Sequence, residues 1–87
     1  TENLNDRFEK HFEDVYPGFF KSLISYSSNL TQNDLRFCAY LKMNQSTDEI
    51  AKLTNISIRT VESKKYRLKK KFKIQKDKSL TGFIHSI

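Results

Sequence analysis

Residues 55–74, NISIRTVESKKYRLKKKFKI, carry eight Lys and Arg against a single acid, Glu62, yet Ile58, Val61, Leu68 and Phe72 thread through the run. Side chains of this kind bind anions: a guanidinium forks onto phosphate or a base edge, and an ammonium acts as a point charge. At about 100° per helical residue, Leu68 and Phe72 fall within about 20° of Val61, and Ile58 within about 60°. The far side then presents Arg59, Glu62, Ser63, Tyr66 and Arg67, which are able to hydrogen-bond or stack. Lys64 and Lys65 fall at the edges of the stripe, so their stems cover apolar surface while their ammoniums reach outward. Against a nucleic acid those heads would meet phosphate.

Charge is concentrated, not spread. Residues 1–57 hold six basic and eight acidic side chains, a net of −2, whereas residues 58–78 hold ten basic and two acidic, a net of +8. A one-sided field points to a polyanion. A purely solvated helix would gain little from lysines at the rim of its apolar stripe. Lying on a membrane needs a broad apolar face, and here the face is narrow and owed to the core. RNA recognition by a glycine-rich clamp or an aromatic sheet finds no matching motif. A major groove admits one helix with phosphates along both walls, so double-stranded DNA is the favoured ligand. The alternative is a protein-interaction module whose basic helix docks on an acidic partner.

The elements that must hold this helix are legible around it. Leu4, Phe8, Phe12 and Val15 recur at helical spacing, and Pro17-Gly18 interrupts them. A second short helix runs from near Pro17 to Tyr26, with Phe19, Phe20, Leu23 and Ile24 inward. Thr31 and Asp34 mark the next start, with Leu30 and Leu35 as a hydrophobic staple. This helix reaches about Met43, burying Leu35, Cys38, Ala39 and Leu41, and Asn44 stops it. Ser46 with Glu49 forms a capping-box pattern before a helix over 47–53 that buries Ile50, Ala51 and Leu53. Thr54-Asn55 turns the chain, Ser57 caps the basic helix, and Ser79 caps a last one with Leu80, Phe83, Ile84 and Ile87 to pack. A short helix joined by a tight turn to a long basic one is the helix-turn-helix signature. No convincing β alternation occurs, so the expected class is all-α.

Residues 30–74, LTQNDLRFCAYLKMNQSTDEIAKLTNISIRTVESKKYRLKKKFKI, resemble the C-terminal DNA-binding domain of the LuxR/FixJ family of two-component response regulators. The matches are Leu30-Thr31, Asp34-Leu35, Glu49-Ile50-Ala51, Ile56-Ser57, Thr60-Val61 and Lys71-Phe72. The resemblance implies a four-helix helix-turn-helix domain, residues 30–87, with helices 32–43, 47–53, 58–72 and 80–86. The third is then the recognition helix of a bacterial transcription regulator. Base edges would be read by Glu62, Ser63 and Tyr66. Arg59, Thr60, Lys64, Lys65, Arg67, Lys69 and Lys70 would meet phosphate, Thr60 being alternatively a capping or packing residue. The implied partners are double-stranded DNA, a second copy on paired half-sites, and RNA polymerase. Asn44 stands where the family usually has Gly, Lys64 where His is common, and Glu62 where Lys is frequent. Residues 1–29 look like the Tyr-Pro-containing helical lead-in of sensor-regulators from Bacteroidetes-type bacteria, serving to pack or to dimerise.

Other chemistry finds little footing. His11, Cys38 and His85 have no metal-ligand spacing, no nucleophile–base–acid set is readable, and Gly18 and Gly82 form no phosphate loop. Neither a cofactor nor an enzyme activity is expected. Cys38, between Phe37 and Ala39, reads as a buried small hydrophobe. The single cysteine forms no internal disulfide, which makes the cytoplasm the expected compartment, and the opening residues resemble no signal peptide. Thr1 in place of Met is expected of a piece of a longer protein, in which an anchoring or sensory part would lie elsewhere.

Overall fold

Four hydroxyls start four of the helices in the computed structural model of the chain, which describes residues 4–87 and their side chains from Lys10 onward. Six helices lie among the described residues, with no strand: α1 (Leu4–Val15), α2 (Phe19–Tyr26), α3 (Gln32–Lys42), α4 (Thr47–Thr54), α5 (Ile58–Lys71) and α6 (Leu80–His85). Thr31 Oγ1 accepts from the Asp34 amide at 3.1 Å, and Asp34 Oδ2 accepts from the Thr31 amide at 3.1 Å. Ser46 and Glu49 repeat this reciprocal arrangement at the start of α4, at 3.2 and 3.0 Å. The Ser46 amide and hydroxyl hold the Glu49 carboxyl below its ordinary pKa. Ser57 Oγ accepts from the Thr60 amide at 3.1 Å, and Ser79 Oγ from Gly82 at 2.9 Å. A cap of this kind is worth about 1 kcal/mol, because it satisfies amides that have no partner inside the helix.

Three helices stop in the left-handed region. Asn44 (φ 66°), Asn55 (φ 57°) and Lys73 (φ 56°) each redirect the chain. The residue that follows each one donates back into the last turn: Gln45 to Tyr40 O, Ile56 to Ala51 O and Ile74 to Lys69 O, at 3.0–3.1 Å. Those bonds satisfy orphan carbonyls and set the angle at which the next segment leaves. The start of α2 departs from expectation. It begins at Phe19 because Pro17 and Gly18 form the turn, Gly18 at φ 80° with its amide donating to Glu13 Oε1 at 2.7 Å. Elsewhere the expected ends shift by one residue, with Met43 and Phe72 acting as C-caps and not as last helical residues.

The core is one cluster. Phe12, Phe19 and Leu23 of the lead-in share it with Leu41, Ile50, Val61, Leu68 and Ile84. Five consecutive residues of α3, Phe37 to Leu41, are buried, so this helix is surrounded and not one-sided. Buried Tyr40 keeps its hydroxyl satisfied by accepting from Arg36 Nε at 3.2 Å. Phe12 meets Phe19 and Phe20 at 5.2 Å each, and Phe83 bridges Tyr26 and Phe72 at 5.1 and 5.0 Å. Lys42 extends across these elements to donate to Ile87 O at 2.8 Å and His85 O at 3.3 Å, which fastens α3 to the end of α6.

Four apolar residues expected inside are exposed instead: Val15, Ile24, Leu53 and Ile58. Val15 ends α1. On α2 the buried ridge is Phe19 and Leu23, which leaves Ile24 turned away. Leu53 and Ile58 flank the Asn55 turn, where Ile56 takes the inward place between them. Leu35 is only half-buried. Leu4 and Phe8, expected in the first apolar stripe, have side chains outside the described residues.

The Lys71 ammonium lies 2.6 Å from Asp34 Oδ2 and donates to Asn29 O at 3.1 Å, so the end of α5 is tied to the start of α3. Burial alone would raise the Asp34 carboxyl, but Lys71 and the Thr31 cap outweigh it and hold it below its ordinary 3.8. A lowered folded pKa means the unfolded chain takes up the proton first. The pair's contribution is therefore full above the ordinary pKa and fades as pH falls through the folded value. Asp34→Asn should accordingly reduce unfolding free energy at neutral pH and lose its difference from wild type in strong acid, as read by denaturant melts across pH. Leu68→Ala, opening a cavity at a 2% exposed site, should cost about 2–5 kcal/mol in the same melts.

Candidate nucleic-acid interface

α5 is held by one narrow seam. Val61 is fully buried, Leu68 is 2% exposed and the capping Phe72 8% exposed, seated against α4 and α6. Because the helix is fixed along that stripe, its other side faces solvent. Arg59, Glu62, Ser63, Tyr66 and Arg67 are all exposed, Tyr66 at 60%. Lys64 and Lys65 are half-buried at the rim, as stems covering apolar surface require. The outward face read from helical spacing is therefore the outward face of the molecule.

The face is also electrostatically unspent. Among the described residues, Lys71 is the one cation of α5 with a carboxylate partner. Arg59, Lys64, Lys65, Arg67, Lys69 and Lys70 have none. Two of these six are nevertheless held in place. Lys65 Nζ donates to Thr47 Oγ1 of α4 at 2.8 Å, and Lys69 Nζ donates to the Lys76 carbonyl at 3.0 Å. Each ammonium has three donors and keeps protons for an anion after one such bond. Lys70 Nζ sits 4.6 Å from the Tyr66 ring centroid, a cation–π contact that orients the ring while leaving both groups exposed.

One residue is defined by its contacts and another by having none among the described residues. Thr60 hydrogen-bonds through its hydroxyl to Ser57 Oγ at 2.9 Å while its amide fills the cap of α5. It thus serves the helix start, with the hydroxyl still at the surface. Glu62 has neither a hydrogen-bond nor an ion-pair partner among the described residues, so it is not neutralised by Arg59 or Tyr66 on its own helix. An exposed, unpaired carboxylate in the middle of a cationic face excludes phosphate locally, but it can accept from an amine.

The turn between α4 and α5 sets how this face is carried. Asn55, in the left-handed region, and Ser57, capping the next helix, leave residues 55–57 to make the connection, and Lys65–Thr47 crosses it as a strut. Two lysines were not singled out as site residues by spacing. Lys71 is spent internally, and Lys76, beyond the helix, is brought beside Lys69 by the Lys73 turn. The basic run continuing to Lys78 was the signal for Lys76. No helix among the described residues is long and apolar enough to cross a membrane.

Comparisons with protein-family models, with curated proteins and with solved structures return no match for this chain.

Because Ser63 and Tyr66 have no packing task, Ser63→Ala and Tyr66→Ala should shift unfolding free energy by less than about 0.5 kcal/mol. Val61→Ala should cost clearly more. Paired denaturant melts decide this, and comparable losses at all three positions would assign the outward face to the core.

Proposed function

We propose that the chain is a sequence-specific double-stranded DNA-binding unit of a bacterial transcription regulator, a LuxR/FixJ-like helix-turn-helix with α5 entering the major groove. The observation that carries this reading is the pairing of one buried seam on α5 with six cations, outward on the helix or at the rim of the seam, that lack carboxylate partners among the described residues. A helix of this kind fits a groove whose floor offers donors and acceptors and whose walls are lined with phosphate. Arg59, Lys64, Lys65, Arg67, Lys69 and Lys70 supply the phosphate contacts, with the Thr60 hydroxyl beside the N-terminal end.

Base reading falls to Glu62, Ser63 and Tyr66. The Glu62 carboxylate accepts from a cytosine amine, the Ser63 hydroxyl both donates and accepts, and the Tyr66 ring packs on a thymine methyl or a sugar. Since Glu62 repels the backbone, it favours the right base over indiscriminate duplex and lowers generic affinity. Two copies on an inverted repeat would read paired half-sites, and RNA polymerase would be the neighbouring partner at a promoter.

Selection from a randomised duplex pool tests the whole reading. An enriched inverted repeat is the expected result, whereas a pool that stays random refutes sequence-specific recognition. On the selected site, Arg67→Ala should lower the slope of log K against log salt by about 0.9, because one phosphate contact is lost. Glu62→Gln should change the preferred base at one position in each half-site and leave the melting temperature alone. A basic helix that instead serves an acidic protein would bind the selected duplex no better than a scrambled one.

A further inference from the structure

Beyond the end of α5 the cationic surface folds into a groove that helical spacing alone does not reveal. Tyr66, Lys69, Lys70, Ile74 and Lys76 line an open recess of about 550 Å³. Three ammonium-bearing side chains meet there and no carboxylate contributes to the lining. Ile74 gives it a half-buried apolar floor, and the Tyr66 ring, with Lys70 Nζ over it at 4.6 Å, gives it an aromatic wall.

The recess is built by the backbone. Lys73, at φ 56°, ends α5 in the left-handed region and turns the chain back on itself. Ile74 N then donates to Lys69 O at 3.0 Å, and Lys69 Nζ to Lys76 O at 3.0 Å, so one residue of the last turn grips the returning segment at two points. The two other left-handed stops in the chain use Asn, which enters that region cheaply. This one uses Lys, whose Cβ crowds the following carbonyl there as Gly would not. A lysine kept there leaves the basic run unbroken from the helix into the turn.

We infer that this groove receives one sugar–phosphate unit of the duplex that α5 reads, extending the interface past the helix to Lys76. The inference rests on the duplex reading of α5 and deepens it. Charge and shape both select this occupant: the phosphate meets Lys69, Lys70 and Lys76 while the deoxyribose lies on Tyr66 and Ile74. Position agrees. Lys70 stands one turn, about 6 Å, beyond Tyr66 along the axis. With the N-terminal half of α5 over the base edges of a groove about 12 Å wide, the C-terminal end arrives at the wall where phosphates stand.

Lys76→Gln and Lys78→Gln test this together on the full chain with the selected duplex. They remove the same charge two residues apart, but Lys78 lines a different recess, against Ser79 and Phe83. Lys76→Gln should lower the salt slope by about 0.9, so its affinity deficit shrinks about 3.5-fold between about 50 and 200 mM salt. Lys78→Gln should show a smaller change in slope. Ethylating single phosphates should reveal one position outside the base-read steps that weakens wild-type binding and leaves Lys76→Gln indifferent. Thermal melts of both variants should match wild type, because the atom of Lys76 used internally is its carbonyl. Equal effects of the two substitutions, or no such phosphate, would overturn the groove while leaving the α5 reading intact. A wild-type chain that binds no duplex at all would remove both.

Discussion

A seam of three side chains decides what the rest of the molecule can do. Val61, Leu68 and Phe72 are the buried residues along and just past α5, and everything else on that helix is polar or charged apart from the exposed Ile58 and the ring of Tyr66. A helix this polar has little reason to adopt one fixed pose unless its single apolar stripe is fully used. Burying that stripe in a core built by α3, α4 and α6 fixes rotation about the helix axis. A rotation of one residue would bring Glu62 or Thr60 to the place of Val61 and turn the exposed polar face inward, at the expense of burying unsatisfied polar groups.

The small core can hold this pose because so many of its helix ends are secured locally. Two reciprocal capping boxes, two further hydroxyl caps and three left-handed stops mean that the short helices lose less by being short. Longer-range ties then connect them: Lys71 to Asp34, Lys65 to Thr47, and Lys42 to the carbonyls at the end of α6. All three are half-buried lysines, and each fastens two elements with its ammonium. The basic character of the chain is thus partly structural, and only part of it is free for a ligand.

What could be read in advance divides along a physical line. Thr31 with Asp34, Ser46 with Glu49, and Ser57 and Ser79 were legible because a cap is decided within four residues. The outward face of α5 was legible because helical geometry alone separates Val61 from Ser63 and Tyr66. The exposure of Leu53, Ile58, Ile24 and Val15 was not, since which apolar residues at a turn or helix end go inward depends on where the neighbouring helix lies. Nor was the burial of Phe37 and Tyr40, because α3 is enclosed on several sides and periodicity reports only one. Lys71 looked like any other member of a basic run until Asp34, far away in sequence, claimed it. The recess at Lys76 escaped for a similar reason: a lysine in the left-handed conformation is not something composition announces.

Cys38 sits at the centre of α3 with no exposed surface, and burial, with Asp34 adding to it, pushes its thiol up to about 12. A maleimide or disulfide reagent therefore finds no thiolate and no path while the domain is closed. Labelling of the native sulfur becomes a clock for global opening, since α3 is packed on too many sides to be exposed by fraying. The same silence makes the fold receptive to a single cysteine placed on its surface, so that a dye or cross-linker could report from the end of α5 without first removing the residue that nature put inside.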